Sequence, residues 1–335
     1  MKPNQMKTGS SYPLWRSLLA SCAVAALCSA AGAHAQTADA YPTKPIRLIV
    51  PFPPGGSNDI VGRYLANQLS ERLGKQVVVD NRGGAGGLIG SETAANSVPD
   101  GHTLLLISVA YAMNASIYKL PYDSVKSFAR VAQLGTGPAA LAAYPGLPAN
   151  SVKELIALAK AKPNTIVYAT AGIGSFQHFA SELFRTSAGL SMVHVPYKGG
   201  GPAMIDTIGG QAQISLGSLI QFLPHFRSGK LKALGTGGAR RTAVLPDVPT
   251  IAESLPGYEA NNWWGILAPA ATPAAIVRKL NTEINAVMKL PETQKRFASE
   301  GADPVSSTPE EFSKLIASEM IKWAKVAKDA NIKAD

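Results

Sequence analysis

Two glycine-rich segments combine the residue types that bind small anions through the protein main chain. The first is Pro53-Pro54-Gly55-Gly56-Ser57-Asn58-Asp59, and the second is Ala171-Gly172-Ile173-Gly174-Ser175-Phe176-Gln177-His178. Each stands where a predicted strand gives way to a predicted helix, whose first turn exposes unpaired N–H groups at the positive end of the helix dipole. Glycine lets a ligand approach that backbone closely. Two such termini facing one cleft would bind a carboxylate without an arginine, although each alone also fits an ordinary turn with a serine cap.

The sequence carries none of the common catalytic or metal-binding motifs. It lacks the Gly-x-Ser-x-Gly elbow, the Gly-x-x-x-x-Gly-Lys-Ser/Thr phosphate loop and the His-Glu-x-x-His zinc motif. Gly84-Ala85-Gly86-Gly87-Leu88-Ile89 starts like a dinucleotide-binding loop but has isoleucine in place of the third glycine. His178 and Glu182 would share a helix face, which is too few ligands for a metal site. We therefore expect no catalytic residue, metal or cofactor, and the one enzyme alternative is a hydrolase in which His178 activates Ser175.

Strand and helix patterns alternate along most of the chain, which predicts parallel strand-helix-strand units with a buried sheet. The predicted strands are residues 46–50, 77–80, 103–108, 166–170, 192–196, 214–217 and 231–235. The predicted helices start near Asn58 and Ile89, at a capping box of Ser151 and Glu154, after Ser175, and at Thr272-Pro273 and Thr308-Pro309. Ligands of open α/β sheets lie at the carboxyl ends of the strands, so both glycine-rich segments should face such an edge.

The length of the chain and its proline-rich connections indicate two lobes. A chain of 335 residues exceeds the common size of one domain. A middle block has its own strand-helix alternation and is bracketed by proline-rich connections. We therefore predict one lobe from residues 36–142 together with 263–335, and a second from residues 143–262. Three uncharged stretches, 131–152, 207–226 and 260–277, contain proline, glycine or amide residues and are predicted to be buried strands and loops, not membrane spans.

The N-terminus has the order of a secretory signal peptide. Basic residues up to Arg16 precede an uncharged stretch that ends at Ala33-His34-Ala35. Cleavage after Ala35 would export the protein and remove both cysteines, Cys22 and Cys28. An uncleaved anchor and lipidation of Cys22 are alternatives. The weak hydrophobicity of the stretch argues against the first, and the short distance from Arg16 to Cys22 argues against the second.

The charge pattern points away from nucleic acid. The formal net charge of +10 would fall to +7 after cleavage. The basic residues that remain are scattered and form no run longer than the pairs Arg240-Arg241, Arg278-Lys279 and Lys295-Arg296. Nucleic-acid binding proteins concentrate such charge on one surface. We therefore expect no nucleic-acid partner.

Seven motifs follow one another along the chain from residue 41 onward. They are Tyr41 to Asp59, Asp80 to Gly87, Pro99 to Leu105, Leu120 to Asp123, Gly172 to Phe184, Val195 to Ala203 and Leu245 to Thr250. In this order they resemble the Bug-type, or TctC-type, substrate-binding proteins of tripartite tricarboxylate transporters. No single motif would suffice, but together they cover about residues 41 to 335.

The resemblance implies an α/β protein with the two-lobed periplasmic-binding-protein, or Venus flytrap, fold, in which each lobe is a mostly parallel sheet flanked by helices. It implies a monomeric periplasmic receptor, not an enzyme, that closes on a small organic carboxylate and delivers it to the permease subunits of the transporter. Backbone amides and hydroxyls of the two strand-helix loops hold one carboxylate in that family. Carried over, the ligand-binding residues are Phe52, Pro54, Gly55, Gly56, Ser57, Asn58, Asp59, Ser108, Gly172, Gly174, Ser175, Phe176, Gln177, His178 and Ser218.

Two departures from the family pattern bear on the ligand. Family members commonly have Gly-Gln-Val-Asp where this chain has Gly210-Gln211-Ala212-Gln213, and apolar-Asp-Asn where it has Leu216-Gly217-Ser218. The loss of these acids disfavours an amino acid, whose ammonium group would require a carboxylate partner. Phe176 and Gln177 leave room for an apolar or aromatic body. We predict a mono- or dicarboxylate without an amine, aromatic acids included; a receptor that signals to a membrane sensor kinase would use the same fold.

Overall fold

Alternating strands and helices make up the computed structural model, which describes Met1 and residues 40–334. The predicted signal peptide, its cleavage after Ala35 and Cys22 lie outside the described residues. From Pro42 onward the chain folds as one compact unit. The strands are β1 (Ile46–Val50), β2 (Val77–Asn81), β3 (Thr103–Ser108), β4 (Phe128–Ala143), β5 (Val167–Thr170), β6 (Val193–Pro196), β7 (Ile214–Ser218), β8 (Lys232–Thr236), β9 (Asn261–Pro269) and β10 (Asp303–Pro304).

The helices lie between and after these strands. They are α1 (Ser57–Leu73), α2 (Leu88–Ala95), α3 (Ala110–Ile117), α4 (Val152–Ala161), α5 (Phe176–Ser187), α6 (Gly200–Ile208), α7 (Leu219–Arg227), α8 (Ala274–Met288), α9 (Pro291–Ser299) and α10 (Pro309–Asp329). Every strand predicted from the sequence is confirmed, with ends displaced by no more than one residue. Among the described residues, no helix is both long and apolar enough to cross a membrane.

Two sheets share the long strand β4. The first has the order β2-β1-β3-β9-β4, with β10 also paired to β4; the second has the order β4-β7-β5-β6, with β8 also paired to β4. Parallel pairing joins β1 to β2 and β3, and β5 to β6 and β7. The strands β4 and β9 run antiparallel to their neighbours. The parallel strands therefore carry the loops that lead into helices, while the antiparallel pair joins the two sheets.

Pro138 marks the point where β4 passes from one sheet to the other. It is the last residue of β4 in register with β9, opposite Asn261, and Ala139 is the first in register with β7. Proline has no N–H to donate to a ladder, so it is tolerated where pairing changes. The sequence predicts buried strands and loops over residues 131–152, and the structure has the largely buried strand β4 up to Ala143 followed by a loop.

The capping-box prediction for α4 is half correct. Ser151 Oγ accepts the N–H of Glu154 at 3.1 Å, as an N-cap does. The Glu154 carboxylate, however, accepts the N–H of Asn150 at 2.7 Å instead of returning to Ser151. At α10 the full box is present between Thr308 and Glu311.

The helix α10 packs its apolar stripe into the core shared by both sheets. Phe312 lies edge-on to Trp263 of β9 at 5.7 Å, and Trp323 lies edge-on to Phe179 of α5 at 5.9 Å. All four rings are buried. At Gly265 an added Cβ would lie 2.1 Å from the Phe312 ring, so only glycine allows this packing. The C-terminal helix thus fixes α5, which carries one of the glycine-rich segments, against the strand that joins the sheets.

Candidate functional site

Five strands lead toward one small cavity, and each is followed along the chain by a helix. The strands β1, β3, β5, β6 and β7 lead into α1, α3, α5, α6 and α7. The cavity is lined by Phe52, Gly56, Ser57, Asn58, Ser108, Ala171, Ser175, Phe176, Gln177, Gly200, Ser218, Gln221 and Asn262. Its volume of about 40 Å³ exceeds the roughly 10–15 Å³ that one water molecule requires. The cavity therefore has space for a small molecule.

The wall of the cavity combines helix N-termini with uncharged side chains. Among the described residues that line it there is no Asp, Glu, Lys, Arg or His. First-turn residues of four helices, α1, α5, α6 and α7, line the cavity, and helix N-termini carry unpaired N–H groups and the positive ends of the helix dipoles. The arrangement favours a negatively charged group at the point where these termini meet.

Three buried serine hydroxyls supply further hydrogen-bond donors. Each is 4% exposed or less, and each oxygen already accepts a hydrogen bond from the protein. The three bonds are Asn58 Nδ2 to Ser108 Oγ at 3.4 Å, His178 N to Ser175 Oγ at 3.2 Å, and Asn262 Nδ2 to Ser218 Oγ at 2.9 Å. A hydroxyl whose oxygen accepts in this way still has its proton to donate. The cavity thus offers hydroxyl protons to an acceptor-rich ligand such as a carboxylate.

Gln177 is the unsatisfied polar group of the cavity. Its side chain is 4% exposed, and neither Oε1 nor Nε2 has a hydrogen-bond partner. Gly217 of β7 makes room for it, because a Cβ there would lie 2.6 Å from Gln177 Nε2. By contrast, the amide of Gln221 donates to Gly200 O at 2.8 Å. The structure therefore leaves one primary amide free at the cavity wall.

Glycine backbone brings the two sides of the cleft into contact. Gly199 and Gly201, at the start of α6, face Pro53 and Pro54 of the loop before α1. A Cβ at Gly199 would lie 2.4 Å from Pro53 Cγ, and one at Gly201 would lie 2.8 Å from Pro54 O. Both distances are too short for real carbon contacts. Side chains at these positions would hold the two loops apart.

A second set of contacts bridges the cleft beside α3. Tyr118 Oη donates to Ile173 O at 3.2 Å, and Asn114 Nδ2 donates to Gly86 O at 2.8 Å. Gly86 has a φ of +61°, and a Cβ on it would lie 2.4 Å from Ile173 O. The loop between β2 and α2 therefore also approaches the loop that precedes α5 through a glycine.

A larger outer cavity of about 250 Å³ adjoins the inner one. Phe52 and Ala171 line both, and so separate them. Lys198 is the one charged residue among those that line the outer cavity. A cation is therefore present beyond Phe52 and absent from the inner wall.

Asp59 anchors the first glycine-rich loop. Its Oδ2 accepts the N–H of Gly55 at 3.1 Å, its Oδ1 accepts Asn81 Nδ2 at 3.0 Å, and Arg63 forms an ion pair with it at 2.9 Å. Burial by itself would raise the pKa of Asp59, but the bonds from Arg63, Asn81 and Gly55 outweigh it and the pKa lies below its usual value. The carboxylate is therefore ionised and fully engaged in holding the loop.

Histidine and tyrosine rings support the second glycine-rich loop. His178 Nδ1 accepts the N–H of Gly174 at 3.4 Å. The His178 ring stacks on His194 at 4.7 Å, and His194 stacks on Tyr168 at 4.9 Å. Ser175 Oγ caps α5 by accepting from the main-chain N–H of His178. Both residues of the hydrolase alternative thus make structural contacts with the loop.

The family of the chain follows from a match over most of its length. Residues 61–332 match the family described as "Tripartite tricarboxylate transporter family receptor". The chain belongs to this family. It is accordingly a solute-binding receptor with the two-lobed α/β fold of periplasmic binding proteins, as the motifs predicted.

Relatives of known name agree with this assignment. Protein BugT of Bordetella pertussis is 39% identical over 301 residues, which cover 89% of this receptor and 92% of BugT. The structure of the periplasmic binding protein BugD has 34% identity and a TM-score of 0.85, covering 88% of this receptor and 100% of BugD. The structure of Rpa4515 of R. palustris with adipate has 33% identity and a TM-score of 0.85, covering 88% and 99% of the two chains.

The receptor brings most of the sequence-predicted site residues to the inner cavity. Those on its wall are Phe52, Gly56, Ser57, Asn58, Ser108, Ser175, Phe176, Gln177 and Ser218. Gly172 lies on the wall of the outer cavity. Pro54, Gly55, Asp59, Gly174 and His178 lie behind the wall, where they shape the two loops. Within the described residues, no three side chains of His, Cys, Asp or Glu are arranged to hold a metal ion.

Sequence reasoning missed Gln221 and Asn262 on the cavity wall. Gln221 lies in the first turn of α7, whose pattern is interrupted by Pro224. Asn262 lies in β9, where its Oδ1 accepts the N–H of Val109 at 3.3 Å, from a residue 153 positions away. A single buried amide in an apolar strand was the only local signal for Asn262. Pairing with distant segments gives both residues their place.

Replacement of Asp59 by Asn should lower the free energy of unfolding by about 2 kcal/mol, because bonds to a buried charged group are worth roughly 1.5–3 kcal/mol. The asparagine would place an NH₂ group against either Asn81 Nδ2 or the N–H of Gly55. Chemical denaturation at pH 7 measures the change. Asp247→Asn, at an exposed acid, is the control, and an equal effect in both variants would contradict the anchoring role.

Proposed function

We propose that this receptor captures a small organic carboxylate between its two lobes and delivers it to the permease subunits of a tripartite tricarboxylate transporter. The observation that carries the proposal is the meeting of four helix N-termini with three buried serine hydroxyls around a cavity whose described wall has no charged side chain. Such a wall stabilises a carboxylate through dipoles that are fixed before the ligand arrives. It leaves no buried cation when the ligand departs, so binding stays reversible.

We assign the two lobes to the boundaries expected from the sequence, residues 36–142 with 263–335 and residues 143–262. One jaw comprises the loop before α1 together with Ser108, and the other comprises the starts of α5, α6 and α7. The close approaches of Gly199 and Gly201 to the opposite loop support a cleft that closes by bringing backbone against backbone. Movement of the lobes about the strands β4 and β9 would open it.

The ligand is a mono- or dicarboxylate without an amine, and aromatic acids belong to the same class. The absence of Asp and Glu from the described wall supports this, because a buried ammonium would be left without a partner. Phe52 and Phe176 offer apolar surface for the body of the ligand. The adipate in the related Rpa4515 supports an organic acid as the ligand class.

We further propose that the receptor acts in the periplasm and contacts a membrane permease. Export by the signal peptide, with cleavage after Ala35, would place a monomeric receptor in the periplasm. The family assignment supports transfer to a membrane permease. Nothing in the proposed cycle requires catalysis, a metal or a cofactor, since capture and release need only closure and opening of the cleft.

Isothermal titration of the purified receptor against a panel of mono-, di- and aromatic carboxylates tests the proposal. The methyl ester of each acid serves as its control, since the ester keeps the shape and loses the charge. We expect micromolar or tighter binding of at least one acid and at least a tenfold weaker interaction with its ester. Failure of the entire panel, or esters that bind as well as acids, would contradict carboxylate capture.

A further inference from the structure

The unpartnered side-chain amide of Gln177 indicates which carboxylates the cavity prefers. This inference rests on the proposed capture of a carboxylate. Both polar atoms of this side chain are buried and unpartnered, while the amides of Asn58, Gln221 and Asn262 and the three serines described above form hydrogen bonds within the protein. A buried polar group without a partner is costly, so a ligand that satisfies it gains affinity. Gln177 presents a donor and an acceptor side by side, whichever way the amide is oriented.

A second carboxylate is a poor match for this amide. Carboxylate oxygens only accept, so one of them could bind Nε2 but would leave Oε1 facing a negative charge. No cation among the described wall residues would offset the burial of that second charge. The four helix N-termini and the serine protons are suited to a single anionic group. Lys198 lies on the outer cavity, beyond Phe52.

We propose that the inner cavity selects a monocarboxylate whose other end carries a neutral group with a donor beside an acceptor, and that Gln177 recognises this group. A primary carboxamide fits best, because its C=O and NH₂ pair with the Nε2 and Oε1 of Gln177 in one plane. The carboxylate occupies the helix N-termini, and the neutral end lies on the wall formed by Gln177 above Gly217.

Monoamides of dicarboxylic acids test this selectivity against matched compounds. Malonamate, succinamate and glutaramate are titrated beside malonate, succinate and glutarate, which differ only by a second charge. For succinamate, 4-methylpentanoate is an apolar acid of the same shape. We expect at least one monoamide to bind about tenfold or more tightly than both of its matched compounds, a difference of about 1.4 kcal/mol.

Two variants assign the preference to Gln177. Gln177→Met keeps the length of the side chain and removes the amide, so the tenfold preference should fall to threefold or less while 4-methylpentanoate binds no more weakly than before. Gly217→Ala retains the glutamine but displaces it, because the added Cβ would lie 2.6 Å from Nε2; it should reduce the same preference. Gln76→Met, at an exposed position, is the matched control and should keep the preference intact.

Three results would overturn the inference. One is a dicarboxylate, adipate included, that binds as tightly as the best monoamide, since this would indicate that Lys198 or another group accommodates a second charge. Another is a preference for the monoamide that survives in Gln177→Met, since a different group would then recognise the neutral end of the ligand. If acids bind without preference for an amide, this inference alone fails. If no acid of any kind binds, the proposed carboxylate capture fails with it.

Discussion

Replacement of Gly201 by alanine is expected to weaken ligand binding about tenfold to a hundredfold without destabilising the ligand-free receptor. The added Cβ would lie 2.8 Å from Pro54 O, on the opposite side of the cleft, so the loops must separate by several tenths of an ångström. Overpacking of this kind costs typically 1–3 kcal/mol, which corresponds to the stated loss of affinity. In the open cleft the same methyl group meets no opposing loop.

The stability of the ligand-free receptor should not fall when Gly201 is replaced by alanine. Gly201 is in the first turn of α6, and exchange of a helical glycine for alanine stabilises a helix by up to about 1 kcal/mol. The melting temperature without ligand should therefore stay the same or rise. The combination of unchanged stability and lost affinity would distinguish a block to closure from damage to the fold.

Gly209→Ala provides a matched control at the other end of the same helix. Gly209 is exposed, and an added Cβ would lie no closer than 3.6 Å to any atom, an ordinary contact. Titration calorimetry should show full affinity for Gly209→Ala and reduced affinity for Gly201→Ala with the same acid. Equal affinities in both variants would refute closure through this glycine contact.

Local signals explain why the two jaws could be predicted from the sequence. Ser175 caps α5, and Gly56 precedes α1; the residues that define each helix start lie within a few positions of one another. The neighbouring strands could also be predicted, because runs of β-branched residues ended at glycine or proline. Strand-helix order then placed both jaws at the carboxyl edge of a sheet.

The rest of the site depends on contacts between segments far apart in the chain. Asn262 reaches the cavity because β9 runs antiparallel between β3 and β4, a pairing that nothing in its own sequence specifies. The unsatisfied state of Gln177 likewise depends on Gly217, forty positions later, which provides the space for its amide. Sequence reasoning located Gln177 but could not show that its amide lacks a partner, since that follows from three-dimensional packing.

The buried ion pair behind the second jaw should have the largest effect on stability. Glu182 in α5 is 7% exposed; it accepts from Arg185 Nη2 at 2.7 Å and from Arg185 Nε, and Tyr168 Oη donates to it as well. Removal of one partner of a buried pair costs roughly 3–5 kcal/mol. Since the Arg185 side chain is 30% exposed, we expect Arg185→Met to cost about 2–3 kcal/mol.

The pH dependence of this loss has a definite sign. Burial alone would raise the pKa of Glu182, but the bonds from Arg185 and Tyr168 outweigh it and the pKa lies below its ordinary value of 4.5. A depressed pKa means that the pair stabilises the fold above the unfolded pKa, and that this contribution is lost as the pH falls through the folded pKa. The stabilities of wild type and Arg185→Met should therefore differ fully at pH 7 and converge below about pH 4.5.

A double variant separates the loss of the pair from the cost of an isolated buried charge. In Arg185→Met alone, the buried Glu182 keeps Tyr168 as its partner but loses its positive counter-charge. In the double variant Glu182→Gln, Arg185→Met, no charge is buried and Tyr168 keeps an acceptor, so the double variant should be more stable than Arg185→Met at pH 7. Lys325→Met, which breaks an exposed pair with Asp329, should change stability by less than about 1 kcal/mol. Urea denaturation at pH 7 and pH 4 measures all four proteins. A double variant less stable than Arg185→Met would contradict the expected cost of the isolated carboxylate, since it would show that Glu182 still stabilises the fold through Tyr168 alone.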